Sequence, residues 1–278
     1  MRPRTRKNFA SLCLSAWLGL TGPAIAESLT LTPLETNILQ IASTPEEAAT
    51  LAAGGAGQPE VVLVGLALPA QFDPAVPTPI LYTSVTGDPY RSNIKELEVY
   101  RERAIARGWI VLTAQPHPWP DRAQDTVLGR RASAWAAFRT LEEMFPGSRD
   151  WPTAFAGFSG GSKMTQLLAG DALARGRHVI GAWMSGCNAD STPTIRDDYA
   201  PPEEALWDIA YFLSSGKWDR VSTRSQMRAV YRSLRNHGAR HLRFEGFDGP
   251  HAYYLPHLDE ALAWFETFIP PAAPASTP

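Results

Sequence analysis

The chain has 278 residues, 44% hydrophobic and 19% charged, a size that suits one large domain, and neither an internal repeat nor a long polar linker divides it. Its formal net charge is −2, or −6 over the 252 residues left if a leader ending at Ala26 is removed. That balance offers no electrostatic footprint for nucleic acid and speaks against an anionic membrane surface as the main partner.

The first 26 residues read as a signal peptide: a basic head (Arg2, Arg4, Arg6, Lys7), an apolar run from 9 to 20, and the small-residue exit Ala24-Ile25-Ala26. The run is short for a membrane span and breaks at Gly22-Pro23, so the expectation is cleavage after Ala26, a periplasmic or secreted protein, and no stable membrane insertion. Cys13 leaves with the leader. Only Cys187 remains, so the exported form has no internal disulfide to rely on, and its core must hold it together. Cys187 closes the apolar run AWMSGC and reads as a buried structural cysteine, not a nucleophile. No Cys/His cluster has metal-ligand spacing, and no Gly-rich loop ends in Lys-Ser/Thr.

Short apolar runs then alternate with segments of helical period, the pattern of a parallel sheet covered by helices. Ser43-Thr44-Pro45-Glu46-Glu47 opens a short helix with a cap, a first-turn proline and acids near the positive end. Strands are predicted over 61–69 and 78–87, followed by a helix from 94 to 107 capped by Asn93 and a buried strand from 109. The loop QPHPWPDRAQD leads to a long helix over 126–145 that stops at Pro146-Gly147. Next come the strand TAFAGF, a helix, the strand HVIGAWMSG, an irregular stretch over 187–204, the strand DIAYFLSSG, a helix over 223–237, the strand HLRFEGF and a closing helix over 258–268. One domain is expected over 27–269, with a disordered tail of Pro and Ala over 270–278.

Gly157-Phe158-Ser159-Gly160-Gly161 lies where TAFAGF turns directly into a helix. A Gly-x-Ser-x-Gly pattern arises by chance in about one chain in ten of this length, so its surroundings decide its meaning. A strand before, a helix after, and glycines that permit a sharp turn are what a strained, exposed nucleophilic serine requires. Its hydroxyl needs a histidine to take its proton and an acid to orient that histidine. His251 follows HLRFEGF by the short turn Asp248-Gly249-Pro250, at the same sheet end as Ser159, with His257 as the local rival. Asp219 follows DIAYFLSSG at that end too. Its competing reading is a helix cap, and Asp190 after AWMSGCN is the substitute acid.

With these residues in place, the chain resembles the α/β-hydrolase superfamily, and within it the secreted esterase and polyhydroxybutyrate-depolymerase-like branch. The likeness runs from LPAQFDPAVPTPILYTSVTG through AGFSGGSKM to FEGFDGPHAY. It implies a mostly parallel sheet of about eight strands with helices on both faces, no cofactor, and a triad of Ser159 as nucleophile, Asp219 as acid and His251 as base. In one place the sequence departs from the pattern: Val85-Thr86-Gly87-Asp88 stands where the family carries His-Gly. The oxyanion hole is then expected from the N–H of Gly160 and an N–H near Asp88.

Trp119, His117, Trp151, Trp183 and Trp207 fall in or beside loops and strand ends, and collectively read as an apolar site for an acyl group or a polymer chain; singly, each reads as core. The expected activity is hydrolysis of a small-molecule or polymeric ester through an acyl-enzyme. The alternatives are a non-catalytic binding protein on the same scaffold, which the missing His-Gly favours, and a peptidase.

Overall fold

Both faces of the central strands must be covered for runs as apolar as ILYTS, TAFAGF and VIGAWMS to be stable, and helices cover them. The computed structural model describes residues 31–54, 61–87, 91–117 and 126–270, together with the two-residue strand Trp17–Leu18. The rest of the expected leader and residues 271–278 of the expected tail lie outside the described residues.

The strands are β1 (Thr36–Ala42), β2 (Val61–Ala67), β3 (Ile80–Ser84), β4 (Ile110–His117), β5 (Thr153–Phe158), β6 (Val179–Ser185), β7 (Ala210–Gly216) and β8 (His241–Phe247). In space they run β1-β2-β4-β3-β5-β6-β7-β8, and Trp17–Leu18 pairs parallel with the outer side of β1, opposite Gln40 and Ile41. β2 is antiparallel to both of its neighbours, β1 and β4. From β4 to β8 every pairing is parallel.

The helices are α1 (Pro45–Ala53), α2 (Asn93–Ala106), α3 (Val127–Met144), α4 (Gly160–Ala174), α5 (Glu203–Asp208), α6 (Arg224–His237) and α7 (Leu255–Glu266). On one face of the sheet, α2 and α7 bury Leu97, Tyr100, Leu258, Leu262 and Phe265 against Leu81, Ala154, Trp183 and Phe212. On the other face α1, α3, α4 and α6 pack Leu51, Phe138, Leu168 and Val230 against Val64, Tyr82, Phe155 and Tyr211. Strand alternation sends neighbouring side chains to opposite cores.

Three local expectations change. Strand β1 occupies a segment to which the sequence reading gave no element, and residues 192–199 within the irregular stretch form short helical turns. Asn93 is not the cap of α2: Ser92 is, and Asn93 is buried as the first helical residue.

Candidate active site

The turn from β5 into α4 consists of Ser159 alone. Its backbone sits at φ 56°, ψ −120°, a region that L-residues avoid, at a cost of about 1–3 kcal/mol. Two features impose it. The Ser159 N–H donates to the carbonyl of Ser185 (2.8 Å), continuing the β5–β6 ladder past the end of β5. A Cβ at Gly161 would strike the carbonyl of Ser84, so the first turn of α4 fits against the end of β3 only as glycine.

Asp219 and His251 arrive from the two strands beyond. The loops that carry them are joined by backbone hydrogen bonds from the N–H of Lys217 to the carbonyl of Phe247 and from the N–H of Trp218 to the carbonyl of Gly249 (2.9 Å each). The imidazole then lies between its partners, with Nε2 2.9 Å from Ser159 Oγ and Nδ1 2.7 Å from Asp219 Oδ2. Asp219 is buried, and its other oxygen, Oδ1, accepts the backbone N–H groups of Val221 (2.8 Å) and Ser222 (2.7 Å). One carboxylate thereby fixes its own loop and faces the imidazole. Phe158 lies against His251, ring centroids 4.5 Å apart, and Tyr253 packs on Phe158 at 4.4 Å. Gly186, at φ 60°, leaves room for the imidazole: a Cβ there would stand 2.9 Å from His251 Cε1.

Gly160 N–H donates to the hydroxyl of Thr86 (3.1 Å), and that hydroxyl donates to the carbonyl of Phe158 (3.1 Å). The segment carrying Thr86 is anchored from beneath. Val85 N–H donates to Asn93 Oδ1 (3.0 Å), Asn93 Nδ2 donates to the Ala114 carbonyl (2.6 Å), and buried Arg130 donates to the Val85 carbonyl and to Ser84 Oγ. Thr86, Gly186, Asn93 and Arg130 were not assigned to the site from sequence. Only the proximity of Thr86 to the departure from His-Gly pointed that way. Asp88 lies outside the described residues, so the geometry here concerns Gly160 and Thr86.

The rival residues are placed elsewhere. Asp190 Oδ1 accepts from Gln166 Nε2 (2.8 Å) and from the N–H and hydroxyl of Thr192, bonds that draw its pKa below the ordinary carboxylate value although burial opposes them. Cys187 is fully buried, and burial raises its thiol pKa. His257 is buried against Phe212, Phe247 and Tyr254, with Nδ1 2.8 Å from Ser214 Oγ. Burial lowers its pKa, so the unfolded chain takes up a proton near pH 6.5 that the folded chain refuses, and stability falls as pH drops through that value. The Tm advantage of wild type over His257→Gln should therefore shrink as pH is lowered from about 7.5 to below 6.5.

The apolar-site reading is corrected for three of the tryptophans, for which the core reading of each taken singly holds. Trp183 lies in β6 against Tyr100, Trp151 stacks with Phe145, and Trp207 packs under Gly238; all three are buried core residues. Trp119 and the side chain of His117 lie outside the described residues. Among the described residues, the aromatic groups beside the site are Phe158 and Tyr253, with Trp218 and Tyr254 exposed nearby.

No family model matches the chain, and no curated protein matches it. Solved structures do. A ferulic acid esterase superposes with a TM-score of 0.57 at 15% identity, covering 84% of this chain and 99% of its own. An α/β serine hydrolase without lid from Xanthomonas campestris gives 0.58 at 16% identity, with 88% and 100% covered. The acylaminoacyl peptidase of Pyrococcus horikoshii gives 0.55 at 13%, with 84% of this chain and 41% of that one. Likeness at such low identity speaks to architecture: the chain has the α/β-hydrolase fold.

Proposed function

We propose that this protein is an exported serine hydrolase that cleaves carboxylic esters, with Ser159 as nucleophile, His251 as general base and acid, and Asp219 as the orienting carboxylate. The observation that carries the reading is the hydrogen-bonded chain Ser159 Oγ, His251 Nε2, His251 Nδ1, Asp219 Oδ2, at 2.9 and 2.7 Å. With Asp219 Oδ2 accepting the hydrogen bond from Nδ1–H, Nε2 is left as the acceptor for the serine proton. Ser159 Oγ attacks the ester carbonyl as its proton passes to Nε2, and the imidazolium returns that proton to the leaving alcohol. Water, deprotonated by the same nitrogen, then attacks the acyl carbon, and as the bond to Ser159 Oγ breaks the proton passes from Nε2 to Oγ, releasing the acid.

The negative oxygen of the tetrahedral intermediate needs donors at about 2.7–3.1 Å, and Gly160 N–H is one. At rest that N–H is held by the Thr86 hydroxyl, which stands where the substrate oxygen must come. On substrate binding Gly160 N–H passes to the substrate oxygen, and the Thr86 hydroxyl, turning from the Phe158 carbonyl, supplies the second bond. Thr86→Val should then lower kcat by about 10²-fold with little change in KM, and Thr86→Ser should retain most of the activity. A Thr86→Val enzyme as fast as wild type would remove the hydroxyl from the hole.

The likeness to esterase structures supports the ester reading, and the likeness to a peptidase structure makes amide cleavage the competitor. A fluorophosphonate should label the wild type and leave Ser159→Ala unlabelled, and p-nitrophenyl esters should be turned over in preference to peptide amides. Cleavage of amides alone would reject the ester assignment. Absence of labelling in the wild type would favour a binding protein.

A further inference from the structure

The net charge of −2 conceals a strong asymmetry. Residues 217–243 hold eight basic side chains and one carboxylate, Asp219, for a charge of +7, and the rest of the chain, with 18 basic and 27 acidic residues, carries −9. From Arg220 to Arg243 there is no Asp or Glu at all.

Of the arginines and the lysine in this stretch, Arg240 alone is ion-paired among the described residues, to Glu204 and Asp208. Arg220, Arg224, Arg228, Arg232, Arg235 and Arg243 have no carboxylate within 4.0 Å among the described residues. Arginines elsewhere are placed differently: Arg103 pairs with Asp259, Arg107 with Glu266, Arg139 with Glu47 and Arg177 with Glu142. Even the charged cleft between α1, α3 and α4 is neutralised by its own ion pairs.

The unpaired group is ordered by α6. Met227, Val230 and Leu234 bury one side of that helix, and Arg228, Arg232 and Arg235 stand exposed on the other. Arg224, Arg228 and Arg232 follow at four-residue intervals and Arg235 three further on, a line of about 16 Å at the helical rise. Like charges at these spacings repel and weaken the helix. Among the described residues no carboxylate lies within 4.0 Å of these four, and Asp190, the acid that touches the helix, faces His237 at its C-terminal end. Arg224 and Arg228 lie 6.0 Å from the Phe244 ring centroid, but a ring does not neutralise their charge, and a line of cations kept without an opposing carboxylate points to a polyanion outside the chain.

The same surface has an apolar end. Trp218 and Val221, beside Asp219, are 60% and 59% exposed, the Lys217 ammonium lies 5.0 Å from the Trp218 ring centroid, and the indole N–H donates to Asp248, the one acid recorded in contact with the indole. Cations interspersed with an exposed indole and an aliphatic side chain match a partner that offers phosphate with hydrocarbon beneath it. A duplex nucleic acid offers phosphate at its surface without the hydrocarbon. Contact would be peripheral, because the apolar side of α6 is committed to the core and no helix among the described residues is long and apolar enough to cross a membrane.

We propose that the surface running from Trp218 along α6 to Arg235 docks on an anionic phospholipid bilayer, seating the Asp219 loop against the membrane. This surface stands independently of the chemistry assigned to Ser159. The test is co-sedimentation of the purified protein with phosphatidylcholine vesicles with and without phosphatidylglycerol, at low salt and at about 1 M, where the Debye length is about 3 Å. Binding is expected only to the phosphatidylglycerol vesicles and only at low salt. The Arg228→Glu/Arg232→Glu/Arg235→Glu variant should bind at least about tenfold more weakly while its Tm and its turnover of a soluble ester stay unchanged. The milder triple Gln variant, which removes the repulsion, should bind more weakly and melt no lower than wild type. Equal binding to neutral vesicles, undiminished binding by both triple variants, or binding to duplex DNA or heparin without binding to vesicles would each overturn the proposal.

Discussion

Replacing Ser159 by alanine should lower turnover of an activated ester by on the order of 10⁶, the largest loss expected from any single change in this protein. The magnitude follows from the arrangement of the site. Among the described residues His251 Nε2 meets no hydroxyl but that of Ser159: Cys187, the one free thiol there, is buried and hydrogen-bonded to the Ala189 carbonyl, and Ser162 Oγ is held at 2.5 Å by the carbonyl of Ser159. What remains in the variant is the hole and the binding site, which by themselves sustain about 10³–10⁴ over water. The fold should persist, because the strained backbone at 159 is imposed by the Ser185 carbonyl and by the packing of Gly161 on β3, neither of which involves the side chain. The measurement is kcat with p-nitrophenyl esters alongside near-UV circular dichroism. A loss of only a few-fold in a well-folded variant would mean that another group attacks.

The elements of this site differ in how visible they are in the chain. Ser159 could be read because its requirements are local: apolar TAFAGF, three glycines and a helical run lie within a few residues. Asp219 and His251 could be read because each follows a parallel strand directly, and strand ends on one side of such a sheet converge. Thr86 is different. Its hydroxyl reaches Gly160 across 74 positions of sequence, and nothing in SVTGD marks one side chain as facing the elbow. Gly186 likewise serves an imidazole that arrives from two strands away. Asn93 looked like a cap because Asn favours that position, and burial on Val85 and Ala114 overrode the preference.

β1 escaped notice for a related reason. Thr36–Ala42 mixes polar and apolar residues, pairs antiparallel, and precedes the regular alternation of strand and helix that makes the later elements legible. The tryptophans show the converse error. Trp151 stands beside a loop in sequence and Trp183 near a strand end, but rings that large gain most by burial, and the core takes them, as the reading of each one singly expects.

Asp219→Asn should cost about 10⁴ in kcat without disturbing the fold, and the reason lies in the second oxygen of the carboxylate. Oδ1 receives two backbone donors, from Val221 and Ser222. An asparagine must therefore keep its amide oxygen at that position, since turning the NH₂ group toward two N–H groups would leave three donors facing one another. The amide nitrogen is then directed at His251 Nδ1. It can only donate, so the imidazole adopts the tautomer with its proton on Nε2, and the atom that should accept the serine proton already carries one. Asp219→Ala lacks this enforced tautomer but strands the two loop N–H groups, so it should lose activity together with thermal stability, whereas Asp219→Asn loses activity alone. Comparing kcat, fluorophosphonate labelling rate and Tm for the two variants separates orientation of the imidazole from support of the loop. Near wild-type turnover in Asp219→Asn would assign this carboxylate to the loop and leave His251 to work unaided.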